Sequence, residues 1–144
     1  MHQLTKSYEF ERVAPDSGSA STYTLAAGTT DVNSSAIDLA GCCGATFQIA
    51  LGAITASGTF SVNIEHSDAS GSGFAAISGL TVAVDADTDD NKILVADLAE
   101  PTKRYVRLAI DRGTANSVID SIVVIKAKRG APVTQGATVE MTDI

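Results

Sequence analysis

The chain has 144 residues, of which 44% are hydrophobic and 19% charged, and its formal net charge is −7. That composition suits one domain with a true core and argues against wholesale disorder. The acidic balance works against nucleic acid as a partner, because a DNA or RNA binder needs a basic stripe to displace counterions.

Residues 1–21 read as a polar N-terminal arm. The opening MHQLTKSYEF has no apolar core of signal-peptide length, and no apolar run could span a bilayer. A soluble protein made in the cytoplasm, with no membrane partner, is the expectation. Inside the arm, Lys6 to Val13 alternates thinly between apolar and polar residues. It reads equally as a strand or as a segment that orders on a neighbouring subunit. Tyr23 and Leu25 start a short strand, and Ile37 and Leu39 belong to another.

Adjacent Cys42 and Cys43 are the only cysteines. Neighbouring cysteines rarely bridge each other, and a zinc or redox site needs a spacer and further ligands. They read as reduced thiols, at least one of them buried. Ala45 to Asp68 then forms the clearest pattern in the chain. Phe47, Ile49 and Leu51 share one side of a first strand, and Phe60, Val62 and Ile64 share one side of a second. A period of two over this length is what a half-buried strand needs. The small residues Ala56, Ser57 and Gly58 between them predict a hairpin turn.

After the loop ASGSG, residues Phe74 to Val84 return the chain to the core, and Ile93 to Leu98 follow the acidic loop DADTDDN. Pro101 marks a turn. Tyr105 to Asp111 alternates with Val106, Leu108 and Ile110 on one face and Arg107 on the other. In the longest strand, Val118 to Lys128, the alternation puts Ile119, Val123 and Ile125 on one side. About eight strands with no helical period predict an all-β, antiparallel, jelly-roll-like sandwich over residues 22–129, with a second arm over 130–144.

Each candidate site has a structural explanation beside it. The loop Asp85 to Asn91 has the alternate carboxylates of a calcium site, but Asp90 stands where an EF-hand loop needs glycine and Ala96 where it needs glutamate, so a solvated acidic turn is the reading and a calcium site of another type the alternative. Glu65, His66, Ser67 and Asp68 are the residue types of acid–base catalysis. Yet Glu65 and His66 should point to opposite faces of a strand, and the other histidine, His2, lies in the arm. Ser67 and Asp68 read as turn residues bonded to their own loop. Arg107, Lys103 and Arg104 read either as forming ion pairs with Asp97, Glu100 or Asp111 or as a basic edge that faces an acidic partner surface, and Lys126, Lys128 and Arg129 as solvated or partner-facing charges. Catalytic, cofactor and metal residues are all expected to be absent, and the protein is not expected to be an enzyme.

Residues Val32 to Arg129 resemble small structural proteins of tailed bacteriophage virions. The stretches carrying the resemblance are Ser34 to Leu39, Phe47 to Gly52, Gly58 to Asp68 and Lys103 to Arg107. Their order is similar to that in jelly-roll head decoration, or cement, proteins. The resemblance implies a trimer on the outer capsid surface that clamps neighbouring major capsid subunits through its arms. It places Tyr8, Phe10, Arg12 and Arg129 at the capsid interface. A tail or exterior module that recognises a glycan or host receptor is the alternative, against which the lack of Trp counts.

Overall fold

The computed structural model describes residues 7–55, 57–85, 88–130 and 133–135. Among the described residues nine strands run in chain order: β1 Tyr8–Arg12, β2 Val32–Asn33, β3 Ile37–Asp38, β4 Cys42–Ile54, β5 Thr59–Ser67, β6 Ala75–Asp85, β7 Ile93–Ala99, β8 Tyr105–Asp111 and β9 Ser117–Lys128. They form two antiparallel sheets. The first has the order β1-β9-β4-β7, and the second β2-β8-β5-β6 with β3 also on β8. β2 and β3 act as one interrupted strand, since Val32 lies opposite Ile110 and Ile37 opposite Val106 on the same partner. Counted so, eight strands alternate between the sheets at every connection except β5–β6. That is the jelly-roll sandwich expected from the strand pattern.

The core is the sum of the inward-facing alternations. Phe47, Ile49 and Leu51 of β4 meet Val62, Ile64, Leu108 and Ile110 of the other sheet, each at most 2% exposed. Complete burial of side chains this large is the main favourable term in folding, worth about 1.5–3 kcal/mol each.

Three readings of the sequence change. The stretch Ala45 to Asp68 is not a hairpin. β4 pairs with β7 and β9, and β5 with β6 and β8, so the connection between them arches from one sheet to the other. This arch packs closely: a Cβ on Gly58 would sit 2.5 Å from Cα of Ala115. Tyr23 to Leu25 forms no strand, only an isolated bridge from Leu25 to Ile119. In β9 the alternation flips. Ala50 lies opposite Ser121 but Leu51 opposite Ile119, a bulge that absorbs one residue at Asp120. Ile119 therefore faces the core together with Ile122 and Val124, while Val123 and Ile125 face out. One extra residue moves every later side chain to the opposite face.

β1 resolves the two readings left open for the N-terminal piece. Tyr8 to Arg12 pair with Ala127 to Val123 as the edge strand of the first sheet, and Val13 and Ala14 are buried behind it. The domain thus begins inside the segment assigned to the arm. Residues 1–6 of the N-terminal arm and most of 131–144 of the C-terminal arm lie outside the described residues.

Candidate interaction surfaces

Register across the first sheet defines its outer face. One row runs Phe10–Ile125–Thr46–Asp97, and the next Arg12–Val123–Gln48–Val95. Tyr8 and Ala127 lie beyond one end of these rows, and Ala50 and Ile93 beyond the other. Ile93 and Val95 are the most exposed large hydrophobic residues described, at 65% and 55%. Within these rows the charges are Arg12 and Asp97. Arg12 rests over the Tyr23 ring at 5.1 Å, and Asp97 accepts a 2.6 Å hydrogen bond from Thr46. In a chain of net charge −7, a sheet face whose central rows carry Phe10, Ile125, Val123 and Val95 with one charge of each sign is the feature most suited to covering by another surface.

The four residues assigned to a capsid interface fall on two places. Tyr8, Phe10 and Arg12 line the outer face of β1. Arg129 is exposed just past β9, where its N–H donates to the Gly41 carbonyl and its side chain borders a cleft of about 290 Å³ shared with Glu9, Lys128, Val133 and Thr134.

On the inner side of β1, Glu9 and Glu11 point toward Lys126. The Lys126 ammonium is 2.5 Å from Glu9 and 2.7 Å from Glu11, and its side chain is 5% exposed; Lys128 reaches Glu9 at 2.8 Å. Lys126 is therefore no solvated charge but the centre of an ion-pair cluster that ties β1 to β9. Burial works to raise the Glu9 carboxyl, but the hydrogen bonds from Lys126 and Lys128 outweigh it and hold Glu9 below its ordinary value. For Lys126, burial pulls down while Glu11 and Glu9 pull up, and the net shift is upward.

Arg112, in the connection between β8 and β9, is 4% exposed. Its backbone N–H donates to Asp31 and its guanidinium to the carbonyls of Ala26 and Ser117 and the Ser117 hydroxyl. Burial lowers its pKa, with Asp31 working against that shift. It pins the irregular segment before β2 onto the start of β9.

The remaining candidates are structural. Glu65 accepts from Arg107 at 2.7 Å, and Arg107 lies 4.4 Å above the Phe74 ring. Arg107 was expected to pair with Asp97, Glu100 or Asp111, but β5 is its neighbour in the sheet, and Glu65 lies directly opposite it. Likewise Arg104 pairs with Asp38 at 2.8 Å and Lys103 with Asp68 at 3.8 Å. The Arg104 hydrogen bonds hold Asp38 below its ordinary value. Glu65 and His66 do face opposite sides, since they lie across from Arg107 and buried Val106 respectively. His66 Nδ1 is 3.3 Å from the Thr102 hydroxyl. The Ser67 hydroxyl donates to the Ser72 carbonyl and accepts from Ala69 N–H, closing the β5–β6 loop as read, whereas Asp68, read with it, turns to Lys103 instead.

In the acidic loop, Asp89 accepts from the Asp85 N–H and pairs with Lys92, and Asp90 accepts from the Ile54 N–H. These carboxylates hold backbone. Among the described residues no cluster of three His, Cys, Asp or Glu side chains could hold a metal, and no helix is long and apolar enough to cross a membrane. Cys42 and Cys43 are free thiols and both only partly buried, against the expectation that at least one of them is buried; burial pushes the Cys42 thiol up.

No protein-family model and no curated protein matches this chain. Among solved structures it is similar to a chain titled "CBM4 structure and function", with 14% sequence identity, a TM-score of 0.38, and coverage of 76% of this chain and 67% of that one. At that similarity no ligand or partner carries over.

Proposed function

We propose that this chain is a structural virion protein, a decoration or cement protein that binds the outer surface of a tailed-phage head and stabilises contacts between major capsid subunits. One observation carries the reading: the outer face of the first sheet presents Tyr8, Phe10, Ile125 and Val123 in an apolar row system at the strand where the N-terminal segment joins the domain. Covering such a face stabilises a contact by about 25 cal/mol for each Å² of apolar surface removed from water. Repetition over a capsid lattice multiplies a modest contact into a large total.

The test is co-sedimentation with expanded heads of the phage that encodes the chain. Deleting residues 1–21 would also strip β1 and the buried residues Val13 and Ala14, so surface substitutions are cleaner. Phe10→Ser with Ile125→Ser should keep the fold and abolish saturable binding to heads. Undiminished binding by that variant refutes the assigned surface. A parent protein that ignores heads but binds a cell-surface glycan or receptor refutes the decoration role.

A further inference from the structure

A sandwich of two open sheets has four edges, and each unpaired edge is a template for another strand. Three of the four are blunted here. On β1, the Gln135 side chain takes the place of a neighbouring strand, accepting from Phe10 N–H and donating to the Tyr8 carbonyl, both at 2.8 Å. The β2–β3 edge is broken into two strands of two residues each. β6 is interrupted where Asn63 lies opposite Thr81 but Glu65 opposite Ala76, with Gly79 at φ +82° inside the bulge. Among the described residues β7 alone has none of these devices. It is seven residues long, its register on β4 is unbroken, and it carries both of the most exposed large hydrophobic residues, Ile93 and Val95.

We infer that β7 is the contact through which two copies of this chain pair, edge to edge and antiparallel about a two-fold axis at Ala96, joining their first sheets into one. The occupant follows from hydrogen-bond phase and charge. Leu51 N–H donates to the Lys92 carbonyl and Glu100 N–H to the Cys43 carbonyl, so the even-numbered residues of β7 face β4. The N–H and C=O groups of Ile93, Val95, Asp97 and Ala99 therefore point away from the sheet. A two-fold axis at Ala96 brings Val95 opposite Asp97 of the second copy, and Ile93 opposite Ala99. These are the residues whose outward groups alternate in phase, so each pair can exchange two hydrogen bonds. The same register sets Lys92 of each copy opposite Glu100 of the other. Both are exposed and lie just outside β7, Lys92 also holding Asp89 of its own chain at 3.0 Å and Glu100 turning out of the strand at φ +53°, so the opposite charges stand at the two ends of the contact and not within its ladder. The register also keeps Asp97 away from its own symmetry mate. A single strand whose two halves complement each other this way fits an isologous dimer. The trimer implied by the virion resemblance requires a different, head-to-tail contact, and pairing through β7 stands independently of the decoration role.

The test uses the full chain without capsids. Sedimentation equilibrium should show a reversible monomer–dimer equilibrium. Hydrogen exchange should slow at the amides of Ile93, Val95, Asp97 and Ala99 as concentration rises, and stay unchanged at Leu94, Ala96 and Leu98, which already bond β4. Val95→Pro removes an outward N–H without touching the β4 ladder and should give a monomer. Lys92→Glu and Glu100→Lys should each weaken dimerisation roughly tenfold or more, and the double swap should restore it. The restoration distinguishes pairing from a folding defect in either single variant. A strict monomer at high concentration, a trimer, an oligomer without protection at the four amides, or a double swap no better than the singles overturns the assignment.

Discussion

Replacing Lys126 by Met tests the ion-pair cluster beneath β1. Methionine keeps most of the lysine stem's volume, so the perturbation is the loss of the ammonium that lies 2.5 Å from Glu9 and 2.7 Å from Glu11. Breaking a fully buried pair by removing one partner costs about 3–5 kcal/mol. Here the stranded carboxylates are not fully buried, with side chains 18% and 33% exposed, and Glu9 keeps Lys128 at 2.8 Å. Water and the second lysine reduce the penalty to about 2–3 kcal/mol. For a domain of this size that lowers Tm by roughly 6–12 °C.

The pH dependence gives the sign. Glu9 is held below its ordinary value of 4.5, so its stabilisation is present above that pH and lost as pH falls through the lowered folded value. Lys126 is raised above 10.5, so its contribution is complete below that pH and lost only as pH rises through the raised value. The difference between parent and Lys126→Met should therefore be widest from about pH 5 to 10 and shrink in acid. Urea unfolding across this range measures it. Adding Glu9→Gln and Glu11→Gln to Lys126→Met should recover most of the loss, because no unpaired charge is then left. A loss under about 0.5 kcal/mol at pH 7, or one that persists undiminished at pH 3, refutes the electrostatic account.

Two further outcomes follow from the packing. Arg112→Ala leaves the buried Ser117 carbonyl without its donor and releases the Ala26 carbonyl to water; at about 1–3 kcal/mol for a stranded buried group, urea unfolding should show a clear loss of stability. Exchange should also rise in the segment before β2. Gly58→Ala places a methyl 2.5 Å from the Ala115 backbone, which has no flexible end to move, and should cost about 1–3 kcal/mol by the same assay. No measurable change would mean that the β4–β5 arch can shift away from Ala115.

Period-two alternation over Phe47–Leu51, Phe60–Ile64 and Val106–Ile110 sufficed to identify strands and the all-β class, because burying one face of a strand demands it. The same pattern was silent on partners. A strand's alternation says which face is apolar, not which neighbour it bonds, so β4 and β5 looked like a hairpin while belonging to different sheets. Nor does composition say whether a strand will bulge. Asp120 interrupts the register of β9, and that one residue turns Val123 and Ile125 outward beside Phe10, creating the apolar face on which the proposed function rests. Lys126 and Arg107 were visible as charges, but their partners Glu9, Glu11 and Glu65 stand 115 to 117 and 42 positions away, distances that only cross-strand pairing closes. Alternation and turn residues set the local conformation and the choice of sandwich. Register, bulge and edge protection are long-range properties, decided by which strands meet, and they determined where this protein keeps its charges buried and its apolar surface exposed.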